Sequence, residues 1–174
     1  MEYFILTQDR RIHVPNLPGE LIKTVPKFIV NHIKERPLPD AMAFPIENKQ
    51  NGEFPAVIDQ EVYLVNTQVK DVLSQYDWNL ASSPVMFNDL NQCQQHLYWL
   101  LDIKAADCLA GETLFNPDRT LRKLVIDEGK ASHMPVFRIG GILEEYVAVR
   151  LDVAESLLRR DIYGLDLKPV LTNR

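Results

Sequence analysis

Cysteine is scarce in this chain of 174 residues: only Cys93 and Cys108 occur. Two thiols cannot build a disulfide scaffold, and the sequence predicts that both stay reduced. Long apolar runs are missing as well. The longest uncharged apolar stretch, Leu97–Leu101, falls far short of the roughly 20 residues that a membrane-spanning helix needs. The opening residues Met1–Thr7 carry no basic n-region, and their apolar run is too short for a signal peptide. These absences predict a cytoplasmic protein with no membrane partner. Positive charge is not in excess either: 19 basic residues against 24 acidic ones give a formal charge of −5. A mildly acidic domain repels phosphate backbones at long range, so a nucleic-acid partner is not expected, whereas a basic protein face would be attracted.

What is present is the composition of an ordinary globular chain, with 46% apolar and 25% charged residues. Disorder and collagen-like structure are excluded on that ground. The length fits one domain, 1–174, able to bury roughly 70% of the surface its unfolded chain exposes. Residues 2–7 read as a strand. Between Glu20 and Glu35, the positions Leu21, Ile22, Val25, Phe28, Ile29 and Ile33 have near-helical spacing, but Pro26 interrupts any continuous helix. Prolines 37, 39, 45 and 55 mark 36–55 as a long irregular stretch, either a linker or a functional loop, with an exposed polar tip at Glu47–Glu53. The chain thus divides into an N-terminal part, 1–53, and a better organised core, 54–174.

Within that core one pattern occurs twice. Glu61–Val65 reads as a strand, Asn66 as a helix cap, and Val69, Val72, Leu73 and Tyr76 as one apolar helical stripe before a strand beginning at Pro84. Near the C-terminus, Glu145–Val149 is the strand, and Asp152 with Glu155 forms an acidic capping box. Val153, Leu157 and Ile162 follow on the buried side, Gly164 can end the helix, and Leu165–Val170 returns as a strand. Val65 matches Val149, Val69 matches Val153, Leu73 matches Leu157 and Asp77 matches Asp161, each 84 positions apart. Pro84-Val85 matches Pro169-Val170 at 85, and Phe54-Pro55-Ala56 resembles Met134-Pro135-Val136 at 80. The spacing predicts two duplicated strand–helix–strand units, with helices at about 67–76 and 152–162, in an α+β fold with a mixed or mostly antiparallel sheet. Leu97–Ile103 fits either a buried strand or a helix, because periodicity cannot decide so short a run. Leu121–Ile126 is a further strand, and Gly140-Gly141 a turn between strands 135–139 and 145–149.

No chemical constellation is complete. Cys93-x-x-His96 is half of a zinc site with no second half, so no metal and no cofactor is expected. His13, His32 and His133 stand alone. There is no nucleophile elbow, no P-loop and no dinucleotide fingerprint. Glu144-Glu145 and Asp127-Glu128 are adjacent carboxylates that a strand would send to opposite faces, which suits surface charges near turns better than an acid–base pair. The Arg119, Arg122, Lys123 and Arg159-Arg160 clusters read as solvated faces. The sequence predicts a chain that is not an enzyme. A cysteine-dependent hydrolase using Cys108, His133 and Asp107 is the alternative, and an adaptor or regulatory protein is another.

Five motifs occur in order: Tyr98-Trp99-Leu100-Leu101-Asp102-Ile103, Ala106-Asp107-Cys108-Leu109, Leu124-Val125-Ile126-Asp127, Met134-Pro135-Val136-Phe137-Arg138-Ile139, and Tyr146-Val147-Ala148-Val149 with its helix and Gly164-Leu165. Over about residues 55–170 this series resembles the bacterial polymorphic-toxin immunity family numbered eleven, formerly a domain of unknown function; the first 50 residues do not. The resemblance implies a non-catalytic antidote that binds and neutralises a cognate toxin domain. It carries no catalytic residues over to this chain, and oligomeric state is left open. Loops on a rigid scaffold carry recognition, so the expected partner contacts are Glu47, Asn48, Asn51, Glu53, Glu144 and Glu145.

Overall fold

A computed structural model describes residues 1–25, 38–131 and 133–173. It is an α+β fold built on two five-stranded sheets. The first sheet contains β2 (Met42–Ile46), β3 (Val57–Ile58), β4 (Leu64–Asn66), β5 (Ala81–Asp89) and β6 (Gln94–Asp102), in the order β2-β5-β6-β4-β3. The second contains β1 (Tyr3–Gln8), β7 (Ala105–Ala106), β11 (Val136–Ile139), β12 (Val147–Arg150) and β13 (Leu165–Pro169), in the order β13-β1-β12-β11-β7. All neighbours are antiparallel except β2 with β5 and β7 with β11. The short pairs β8 (Leu114–Phe115) with β9 (Leu121–Lys123), and β10 (Val125–Asp127) with β14 (Leu171–Asn173), lie outside the two sheets. The helices are α1 (Gly19–Thr24), α2 (Thr67–Tyr76), α3 (Glu128–Ala131) and α4 (Leu151–Leu158).

The two sheets repeat one plan. In the first, β5-β6-β4-β3 are neighbours and α2 joins β4 to β5; in the second, β13-β1-β12-β11 are neighbours and α4 joins β12 to β13. Strand directions agree throughout, as two equivalent units require. Val65 pairs with Val57 and Trp99, while Val149 pairs with Val136 and Phe4. The 84-residue offset therefore holds through the strand and into the helix. Trp99 in turn faces Pro84 and Phe4 faces Pro169, so the 85-residue offset holds in the returning strand. Upstream the pairing corrects the expected alignment by one residue. The Asn66 N–H donates to Ala56 O (2.8 Å) and the Arg150 N–H to Pro135 O (2.9 Å), so Ala56, not Pro55, corresponds to Pro135.

The strand that closes each unit is where the chain order departs from simple duplication. In the first unit it is β6, joined to β5 by a hairpin. In the second it is β1, which comes from the other end of the sequence. Tyr98-Trp99-Leu100-Leu101 and Tyr3-Phe4-Ile5-Leu6 occupy equivalent places, and both tyrosines are buried with their hydroxyls donating to a backbone carbonyl. Tyr98 Oη reaches Pro55 O at 2.6 Å and Tyr3 Oη reaches Ala131 O at 2.7 Å.

Strand alternation buries both faces of each sheet. Leu6, Val65, Leu101 and Val149 point into a central core with the stripes Val69, Val72, Leu73 of α2 and Val153, Ala154, Leu157 of α4. The outer face of the first sheet, with Tyr98, Leu100, Val85 and Phe87, is covered by Val14, Leu21 and Val25. The outer face of the second, with Tyr3, Ile5, Phe137 and Ala148, is covered by Cys108, Ile126 and Ala131. Each such side chain stabilises by roughly 1.5–3 kcal/mol on leaving water.

Local signals were obeyed unevenly. Asn66 caps α2, its side chain accepting from the Val69 N–H at 3.0 Å. Arg150, not Asp152, is the N-cap of α4, and its side chain makes no cap bond; Asp152 pairs with Arg150 at 2.7 Å and its Oδ1 accepts from the Val153 N–H at 3.0 Å in the first turn. Helix α4 stops at Leu158, short of the expected 162. Leu97–Ile103 resolves as a strand for all but its last residue, and the stretch 36–55 contains β2, a strand at the sheet edge, where Pro45 costs no ladder bond to a second neighbour. Phe28, Ile29 and Ile33 of the expected helical spacing lie outside the described residues.

Candidate interaction site

The loop from Glu47 to Glu53 leaves β2 and is braced from inside. Asn48 Oδ1 accepts from the Gly52 N–H (2.6 Å), and Asn48 Nδ2 donates to Gly52 O (2.8 Å) and to Asp89 Oδ2 (3.2 Å). One buried amide thus closes the loop and ties it to the end of β5. Asn51 takes a left-handed backbone, φ 49°, which asparagine tolerates better than most residues. At Gly52 a Cβ would lie 2.8 Å from the Pro15 ring, so the preceding segment fits only against glycine. The Glu53 N–H then donates to His13 O (2.8 Å).

Across from this loop stands the turn between β5 and β6. Asp89 is buried, 2% exposed, and its Oδ1 accepts from the N–H groups of Asn91 and Gln92, both at 3.0 Å. Burial pushes the Asp89 carboxyl up, but the bonds from Gln92, Asn48 and Asn91 outweigh it and hold the group below its ordinary value. On β6, His96 stacks on Phe54, with ring centroids 3.6 Å apart and planes 11° from parallel. Partial burial lowers the His96 pKa, with the Asp89 charge opposing, so the imidazole is neutral at pH 7.

A third element arrives from the C-terminal part. Tyr163 Oη donates to Glu53 Oε2 at 2.6 Å, and Tyr163 O accepts from the Ala56 N–H at 2.9 Å. The close crossing depends on Gly164: its φ is +85°, and a Cβ there would sit 2.3 Å from Pro55 Cβ. Gly164 therefore allows two strands' ends to touch, rather than ending α4.

Together these residues enclose an open cleft of about 430 Å³ lined by Asn48, Asn51, Gly52, Glu53, Phe54, Asp89, Gln92, Gln94, His96 and Tyr163. None of them is Lys or Arg. A second cleft, about 400 Å³, lies on the other flank of the loop and is lined by Glu47 and Asn48 together with His13, Lys49 and Gln50. Of the expected contact residues, Asn51 and Glu53 line the first cleft with exposed side chains, and Glu47 is exposed and paired with Lys49 at 2.6 Å. Asn48 is a correction: it is 5% exposed and serves the loop's own structure, because its amide bonds both backbone groups of Gly52 and the buried Asp89 carboxylate.

Glu144 and Glu145 line neither cleft. They are half-buried between β11 and β12 rather than surface charges at a turn. Glu144 Oε1 accepts from the Leu121 N–H at 2.7 Å and so anchors the β8–β9 hairpin. Glu144 Oε2 and Glu145 Oε1 are buried without a hydrogen-bond partner, and burial raises the Glu145 pKa against the pull of Arg138. Cys108 is fully buried, and burial, helped by Asp107, pushes its thiol up to about 11. His133 is exposed and makes no hydrogen bond to it among the described residues. Cys93 is exposed with φ 52° at the hairpin turn. Among the described residues no three His, Cys, Asp or Glu side chains gather as a metal site, and no helix is long and apolar enough to cross a membrane.

Phe54, Asp89, His96 and Tyr163 were not singled out from the sequence as contacts. The one signal for the group was the His96 half-motif, read there as metal spacing. No family model matches the chain, and no curated protein matches it either.

Proposed function

We propose that this chain is a cytoplasmic immunity protein, a non-catalytic antidote that binds one cognate bacterial toxin domain and neutralises it. The observation that carries the reading is the braced loop 47–53 facing the β5–β6 turn and Tyr163 across an open, acid-lined cleft. Its walls are pinned by hydrogen bonds of the buried Asn48 and Asp89 side chains, so a partner would meet a preorganised surface and spend little on ordering it. Tyr163, 59% exposed, lines it, and Leu90, 61% exposed, follows Asp89 in the β5–β6 turn. An aromatic anchor and an apolar neighbour around polar groups are what the centre of a tight interface needs. The ordered motifs from Tyr98 to Leu165 supply the class of partner. A standard interface of about 1,600 Å² with slow dissociation would suffice to hold a toxin active at low copy number.

Co-expression with the toxin domain encoded beside this gene tests the reading. Protected cells and a one-to-one complex on size-exclusion chromatography are expected. Cells that die despite abundant soluble protein would overturn it.

A further inference from the structure

Resting on the immunity reading, we infer that the 430 Å³ cleft receives an arginine side chain of the toxin, its guanidinium lying against the Phe54–His96 pair and bonded to Glu53. The cleft carries two carboxylates, Glu53 and Asp89, and no Lys or Arg among its lining residues. Among the described residues neither carboxylate forms an ion pair; their partners there are the Tyr163 hydroxyl, the Asn48 amide and two backbone N–H groups. Arg11, whose charge acts on Tyr163, is occupied by Asp9 through a two-pronged bond at 2.7–3.2 Å. The site therefore presents a carboxylate, Glu53, with no cation partner among the described residues in a concave place, where a cation gains.

Shape selects among cations. The two stacked rings offer flat surfaces, and the neutral imidazole adds no repulsion. A guanidinium is planar, stacks on such rings and spreads five N–H donors in one plane, whereas an ammonium is a compact, strongly hydrated point charge. Residues that carry acceptors for those donors line the same cleft: Glu53, Asn51, Gln92 and Gln94. A divalent metal fits less well, since no three ligating side chains converge among the described residues. Phosphate and nucleotide ligands are repelled. The exposed Tyr163 lining the opening suits a side chain that arrives on a protein surface rather than a free small molecule.

The test is an NMR titration of the full chain with N-acetyl-argininamide, read at the His96 and Phe54 ring protons, with the lysine and glutamine amides as comparisons. Saturable shifts are expected for arginine, about fivefold tighter than for lysine and absent for glutamine. Glu53→Gln should weaken arginine binding about fivefold, and Gln94→Lys, which seats a cation of the chain itself at the rim, should abolish it; amide spectra report that each variant is folded. Absence of a saturable shift, an equal response to the glutamine amide, or unchanged binding by Glu53→Gln would overturn the site. The toxin arm is separate: Gln94→Lys should lose protection of toxin-expressing cells while a control on the exposed side of α2, Asp71→Asn, keeps it. Full protection by Gln94→Lys would overturn the cleft as the toxin's contact, whereas failure of the native chain to protect would overturn the immunity reading and leave the arginine titration to decide the cleft.

Discussion

The two units share their helices, their strand order and their buried tyrosines, and differ at one end. In the first unit, β5 runs five residues beyond Pro84, and β6 starts at Gln94, four residues before Tyr98. In the second, the chain leaves the sheet after Pro169 to form β14 beside β10, and β1 starts at Tyr3, the counterpart of Tyr98. Asp89, Gln92, Gln94 and His96 all lie in the overhang that the second unit does not have. The shared plan supplies the core, and the part of one copy that outgrows it supplies the cleft. Scaffold and site are thus separable in this molecule, and substitutions at corresponding positions can show it.

The largest effects are expected where the units are alike. Leu73→Ala and Leu157→Ala empty corresponding positions of α2 and α4, both fully buried in the central core, and each should cost about 3 kcal/mol by chemical denaturation. A large inequality between them would break the equivalence of the two helices. Because both side chains belong to one cluster, the double variant should depart from additivity. Next comes Gly164→Ala, which meets both a left-handed backbone and the Pro55 side chain. It should lose about 2 kcal/mol and disturb the Tyr163–Glu53 bond, visible as a changed tyrosine environment in near-ultraviolet circular dichroism.

A smaller pair of variants sharpens the contrast at the helix starts. Asn66→Ala should cost about 1 kcal/mol, since it removes the acceptor for the Val69 N–H. Arg150→Ala, at the corresponding place, should stay within about 0.5 kcal/mol, because Arg150 caps nothing and its ion pair with Asp152 is solvent-facing. The smallest effect is a titration. His96 should protonate below 6.5 in the folded chain, so its contribution favours the fold above 6.5 and is lost as pH falls from 6.5 through the lowered value. Phe54→Leu, by opening the stack to water, should move the midpoint back toward 6.5, measured on the His96 ring protons.

The repeat was legible because it was written in the chain as equal spacing of apolar stripes. Asn66 and the prolines at 84 and 169 were legible for the same local reason. The kinship of Tyr98-Trp99-Leu100-Leu101 with Tyr3-Phe4-Ile5-Leu6 was equally present in the letters, but the exchange of chain order put it outside any constant offset. Strand β2 was hidden by Pro45, which forbids an inner strand and permits an edge one. The cleft was half legible: a polar, turn-rich loop announced itself, whereas its partners Asp89 and Tyr163 lie 41 residues from Asn48 and 110 from Glu53 along the chain. Glu144 and Glu145 misled because charge alone suggests exposure, while the strand geometry around them buries one oxygen of each.

The borrowed closing strand also bears on how the chain reaches its fold. The first unit, from Ala56 to Asp102, is contiguous, so its pairings close short loops and can form while later residues are still being synthesised. The second unit cannot finish that way. Ile5 must find Ala148 and Lys168, 143 and 163 residues further along the chain, so β1 is made before both of the strands it pairs with and waits for them. Until β12 and β13 have been made its apolar edge is open, and during that interval the growing chain is exposed to mispairing with a neighbour.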